Sequence, residues 1–199
     1  AEYIRAMTGA RQGNYMVFFP SYQYMEQVEA CFDEEPLEAD LLIQGQGMGE
    51  VERQEFLREF EKERPRSLAA FCVMGGVFSE GIDLKEERLI GAAVVGTGLP
   101  MVCTEQEVLK GYFEETEQAG FDFAYQYPGM NKVLQAAGRV IRTMEDEGVI
   151  LLLDDRFLRR EYLDLFPREW ERFLRVNRGN VGQCLKDFWE EREKATACP

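Results

Sequence analysis

The sequence predicts a three-layer α/β domain built on a doubly wound, mainly parallel sheet. Three observations predict it. Short apolar runs rich in β-branched and aromatic residues recur between Gly and Pro. They are apolar at consecutive positions, as strands buried on both faces must be. Segments of helical length and helical periodicity lie between them.

The runs are Tyr15–Phe19, Leu41–Ile43, Leu68–Met74, Ile90–Val95 and Val149–Leu153. Each is read as a strand. The first predicted helix spans Tyr22–Phe32, with Ser21 as its N-cap. The second spans Glu50–Glu63 and carries an apolar stripe of Val51, Phe56, Leu57 and Phe60. Further helices are expected over Glu105–Gln118, Met130–Thr143 and Val181–Lys194, with a break at Pro167. Strand and helix alternate without repeats, low-complexity tracts or a long linker. One domain over 1–199 is therefore expected, with its core at about 13–157 and a helical extension at about 158–199.

Composition narrows the function. At 199 residues, 45% of them hydrophobic, the chain can bury a substantial core. A net charge of −14 argues against bulk coating of nucleic acid or anionic membrane. There is no histidine, which removes imidazole bases, His-dependent triads and imidazole metal ligands. Five scattered cysteines suggest neither a disulfide framework nor a four-cysteine metal site. A reduced, cytoplasmic setting is expected. No apolar run approaches the roughly 20 residues of a membrane span, so no membrane partner is expected. The start at Ala1 suggests a piece of a longer chain.

Charge is uneven. Residues 26–63 hold 13 acids against 3 bases, whereas residues 132–178 hold 10 bases against 9 acids. Solvated helix faces are the simple account of the acidic stretch. The later half keeps its cations for anionic ligands.

Three segments carry possible chemistry. In Gln135-Ala-Ala-Gly-Arg139-Val-Ile-Arg142, a helix would place Gln135, Arg139 and Arg142 on one face, with Lys132 a turn earlier. Guanidinium groups grip phosphate oxygens bidentately, so this stripe suits a phosphate. A surface helix whose arginines pair with Glu145 or Asp146 fits equally well, and periodicity does not choose. In Gly75-Gly76-Val-Phe-Ser79-Glu-Gly81-Ile-Asp83-Leu, glycines follow a strand and permit close backbone approach. An ordinary strand-to-turn connection reads the same way. In Gly13-Asn14 through Pro20-Ser21-Tyr22, a hydroxyl opens a helix and can hold a backbone phosphate, although capping is its commoner task. No GxxxxGK[ST] loop is present.

In this order, GNYMVFFPSY (13–22), GGVFSEGIDL (75–84) and QAAGRVIR (135–142) resemble the second motor domain of superfamily 2 helicases. The branch most similar is XPD/Rad3/DinG. LLIQG at 41–45, VVGTGLP at 94–100 and DEGVILLLDDRF at 146–157 extend the likeness. Leu99-Pro100-Met101-Val102 departs from the family's usual Leu-Pro-Phe-Pro.

The resemblance implies a RecA-like domain of an ATP-dependent DNA helicase, 5′ to 3′ on single-stranded DNA, with DNA repair as the family setting. The first motor domain, absent from this chain, would bring the phosphate loop and hold most of the Mg2+. Arg139 and Arg142 would be arginine fingers to ATP, and Gln135 would sit by the γ-phosphate or attacking water. Gly81 and Asp83 would lie at the nucleotide edge. Ser21, Tyr22, Gly75, Gly76 and Ser79 would face the DNA backbone, with Arg156 a further contact. An iron–sulfur cluster would belong to the parent's first motor domain. The isolated chain is expected to be inactive as an ATPase. A standalone α/β nucleotide-binding or protein-interaction module is the alternative. A Rossmann-like transferase is a third reading, but it requires a glycine-rich loop after the first strand, and Pro20-Ser21-Tyr22 is not one.

Overall fold

The computed structural model describes residues 1–76, 78, 89–141 and 146–196. Five strands form one sheet: β1 (Asn14–Phe19), β2 (Ala39–Ile43), β3 (Ser67–Val73), β4 (Gly91–Val95) and β5 (Val149–Leu153). All pairings are parallel, in the order β2-β3-β1-β4-β5. The five apolar runs thus form strands where the sequence places them, with shifts of one or two residues at their ends.

Central β1 explains the two-sided core. Alternation sends Met16 and Phe18 to one face, and Tyr15, Val17 and Phe19 to the other; all five are fully buried. The first face is covered by α3 (Glu50–Arg58), α5 (Tyr127–Ala137) and α6 (Arg160–Leu163), through Phe56, Met130, Val133, Ala136 and Tyr162. The second is covered by α1 (Glu2–Ala10), α2 (Tyr22–Glu34) and α7 (Val181–Thr196), through Ile4, Met7, Met25, Phe32, Leu185 and Trp189. The result is the three-layer, RecA-like arrangement. The helix α1 carries no strong signal in the sequence, yet Ile4 and Met7 are buried against this second face.

Two helices depart from expectation. The Glu50–Glu63 helix ends at Arg58 and tightens into a 3-10 turn over Glu59–Glu61. Arg64 draws that turn in, bonding the Glu59 carbonyl at 3.1 Å and Asp40 at 3.2 Å, and Pro65 disfavours further helix. Val51, expected in the apolar stripe, is 70% exposed, while Phe56 and Phe60 are buried. The Met130–Thr143 helix starts earlier, out of a π-helical turn at Asp122–Gln126, and stops at Ala137. Gly138 weakens helix at that point, and β-branched Val140 leaves it to enter the core. Gly148 makes room for it: a Cβ there would lie 2.3 Å from Val140 Cγ1.

The helix α4 (Thr104–Glu117) buries no residue of its own. It is tethered by Tyr125, whose hydroxyl donates to Glu107 at 2.6 Å; that bond to the carboxylate, with desolvation second, pushes the Tyr125 hydroxyl up to about 12.

Candidate functional site at the carboxyl edge of the sheet

In open parallel sheets, ligands sit outside the carboxyl ends of the strands where the winding reverses. Here that position is the end of β1, with β3 on one side and β4 on the other. Phe19 ends β1, and the chain turns through Pro20 into α2. Ser21 is the N-cap, its Oγ accepting from Tyr24 N–H at 3.2 Å. The expected capping role is therefore filled. Ser21 is also exposed, with the first amides of α2 beside it.

Tyr22 is fixed to the next loop. Its hydroxyl accepts from Gln44 Nε2 at 2.9 Å, while Gln44 Oε1 accepts from Val73 N–H at 2.8 Å. Gln44 is 4% exposed, so one buried amide ties the ends of β1, β2 and β3 together. Desolvation, seconded by Cys72, holds the Tyr22 hydroxyl above its ordinary value, against the Gln44 bond. Gln44 is the site residue that sequence reading passed over. Its signals are its place in the family-like stretch LLIQG and a lone amide closing the apolar run Leu41–Ile43.

Gly75 and Gly76 follow β3. Gly75 has φ of +72°, and a Cβ there would lie 3.3 Å from Lys132 Cε. A Cβ on Gly76 would lie 3.1 Å from the Val73 carbonyl and 3.3 Å from Gln44 Nε2. The pair thus admits both the buried amide and a half-buried lysine from α5. Lys132 and exposed Gln135 lie one turn apart on that helix. Half-buried Arg139 follows in the turn beyond it, its N–H donating to Ala136 O at 3.3 Å. The single helical stripe from Gln135 to Arg142 is corrected accordingly, because the helix ends at Ala137. Arg142 itself, with Ser79, Gly81 and Asp83, lies outside the described residues. Phe78 in the same motif is structural: it is fully buried and stacks on Phe56 with centroids 4.2 Å apart.

The loop after β4 supports α5. Gly98, at φ +67°, approaches Gly129 so closely that a Cβ would lie 2.6 Å from its carbonyl oxygen. A Cβ on Gly129 would lie 2.7 Å from Thr97 O. The Thr97 hydroxyl is fully buried there, with no partner among the described residues.

Arg156 stands apart from this group. It follows β5, two strand spacings from β1, about 10 Å. Asp154 holds its guanidinium through two bonds of 2.9 and 2.8 Å and also accepts from its N–H at 2.9 Å. The bond to Arg156 is the main cause holding the Asp154 carboxyl below its usual range. A depressed carboxyl stabilises the fold above the ordinary carboxylate range and loses that contribution as pH falls through its folded value. Asp154→Asn is thus expected to be less stable than wild type near pH ~7. The gap should close toward pH ~2, and urea unfolding at both values reads it.

Chemically, this edge offers amides, a hydroxyl, an amide side chain and cations, which suit phosphate groups.

The comparisons fit this geometry. A family model described as Helicase C-terminal domain matches residues 4–173. The XPD helicase subunit of general transcription and DNA repair factor IIH from Dictyostelium discoideum is 29% identical over 160 residues, 76% of this chain and 20% of the relative. A protein named 3′-5′ exonuclease DinG from Staphylococcus saprophyticus is 29% identical over 185 residues, 90% of this chain and 19% of the relative. The chain thus spans about a fifth of the relatives it matches. The solved structure XPD_APO superposes with a TM-score of 0.65 at 20% identity, covering 82% of this chain and 32% of the other. XPD_Helicase gives 0.59 at 21% identity, over 76% and 26%.

Proposed function

The chain belongs to the helicase C-terminal domain family, of the XPD/Rad3/DinG type, and from that premise we propose that it is the second motor domain of an ATP-dependent DNA helicase. The observation that carries the reading is the close approach of Gly75, after β3, to Lys132 of α5, the helix that carries Gln135 one turn later and leads into Arg139.

The residues divide the work by chemistry. Arg139 would reach ATP bound between two motor domains and stabilise charge on the transferring phosphoryl group. Arg142 would act with it, Gln135 would orient the γ-phosphate or water, and Gly81 and Asp83 would border the nucleotide. The donor set fits a polyphosphate. Bound Mg2+ would neutralise phosphate charge, and its protein ligands would come mainly from the first motor domain of the same polypeptide. Ser21, Tyr22, Gly75, Gly76 and Ser79 would meet the sugar-phosphate backbone of single-stranded DNA, a largely sequence-independent contact. Arg156, already held by Asp154, would present an oriented guanidinium at the same edge.

The test pairs two preparations. The 199-residue chain alone should show no magnesium-dependent ATP turnover. A polypeptide carrying both motor domains should turn over ATP faster with single-stranded DNA and unwind partial duplexes bearing a 5′ tail. Turnover by the isolated chain would overturn the half-site reading. Unwinding from 3′ tails alone would overturn the direction.

A further inference from the structure

A cavity lies along the outer edge of β5 and reaches Asp154 and Asp155 at the end of that strand. It is a groove of about 930 Å3, with Ile150 and Leu152 on one wall and the segment Phe173–Val176 on the other. That volume is within the range of pockets that hold ligands.

Among the described residues, the backbone of neither wall has a hydrogen-bond partner on the groove side. Val149 N–H donates to Ile90 O at 3.0 Å, and Leu153 O accepts from Gly96 N–H at 3.3 Å, so these residues turn their amides toward β4. Strand alternation then turns the N–H and C=O of Ile150 and Leu152 into the groove. Neither residue bonds there to a described residue. Opposite them, Phe173–Val176 runs without helix, turn or bend, and its backbone also makes no bond to a described residue. This segment is a wall and not a displaced strand, because contacts hold both ends. Phe173 packs edge-on against Phe166 at 5.8 Å, and Val176 packs into the core shared by α1 and α7. Leu174 between them is 73% exposed.

We propose that this groove receives an extended peptide strand from a partner protein, added beside β5. Backbone groups left without partners at a sheet edge are the usual basis of such strand addition. A strand would sit about 4.8 Å from β5 and use donors and acceptors from both walls. Charge selects a peptide over nucleic acid: Asp154, Asp155 and Glu169 line the groove alongside Arg172, Arg175 and Arg192, leaving no excess positive charge to attract phosphates. Phe166, Trp170 and Phe188 add aromatic surface, so the strand should be near neutral with aliphatic side chains at alternate positions.

The probe is a capped seven-residue peptide of alternating valine and threonine, titrated into the chain while amide hydrogen exchange is followed by NMR. Exchange at Ile150, Leu152 and residues 173–176 should slow at least about tenfold with peptide, while Val149 and Leu151 stay unchanged. The same peptide N-methylated at alternate amides cannot pair and should leave all rates unaltered. Ile150 and Leu152 amides already protected without peptide would overturn the proposal, since the chain's own segment would then fill the edge. Slowing by oligothymidylate in place of the peptide would overturn it in favour of nucleic acid. No slowing at millimolar peptide would overturn it outright.

Discussion

Replacing Arg139 with alanine in a polypeptide carrying both motor domains is expected to lower ATP turnover by about 10³-fold, with the fold of this domain intact. The size follows from the role: a cationic finger meets charge that develops only in the transition state, and such groups contribute about 10³ to 10⁵ in rate. The loss should fall on kcat, with a smaller change in KM, because uniform binding is not what is removed. Arg139→Lys keeps the charge but not the planar two-point grip, so it should recover only part of the rate. Arg139 sits in the turn after α5 and not in the helix, and its neighbours Val140 and Ala137 do the core packing. Circular dichroism of the variant checks that the domain stays folded. Steady-state ATPase assays with saturating single-stranded DNA measure the effect, and a rate within a factor of ten of wild type would remove Arg139 from the finger role.

The parts of this molecule that were legible in the sequence are those where local chemistry and global packing agree. Tyr15–Phe19 is apolar at every position and β-rich, and burial on both sheet faces requires just that. Ser21 announced its cap because a hydroxyl before a helix has one common job, and it makes that bond. The end of α5 was less legible. Helical periodicity runs smoothly from Gln135 to Arg142, but the choice to stop at Ala137 is made by Val140, which gains a core position against Gly148. That competitor is eight residues away and invisible to a local pattern. α1 was missed because Ile4 and Met7 give too short a stripe until α7, from the far end of the chain, packs beside them. Gln44 was missed for the converse reason. A buried amide is costly unless satisfied, and its partners, Tyr22 and Val73, lie 22 and 29 residues distant. The family motifs reached Gly75, Gly76, Gln135 and Arg139, and the family-like stretch LLIQG contains Gln44, but nothing local in it says that this amide ties three of the strand ends together.

Gly98→Ala should be the most destabilising single change near the site, because two independent costs meet there. At φ +67° an alanine must adopt the left-handed conformation, which costs about 1–2 kcal/mol. Its Cβ would also lie 2.6 Å from the Gly129 carbonyl oxygen, a backbone atom at the start of α5 that cannot swing aside as a side chain can. Together these should cost about 3 kcal/mol and lower the melting temperature of a domain this size by about 6–12 °C. Gly47→Ala separates the two costs. Gly47 has φ +70° but open space where the Cβ would go, so it should lose only the conformational part, about 1–2 kcal/mol. Paired calorimetry decides the matter: equal losses would mean that the contact between the β4 loop and α5 is loose. A larger loss at Gly98 has a functional corollary. If the loop relieves the clash by pushing on Gly129, it tilts the helix that carries Lys132 and Gln135 and leads into Arg139. The same variant, in a polypeptide with both motor domains, should then lose ATP turnover at temperatures well below its melting point, whereas Gly47→Ala should not.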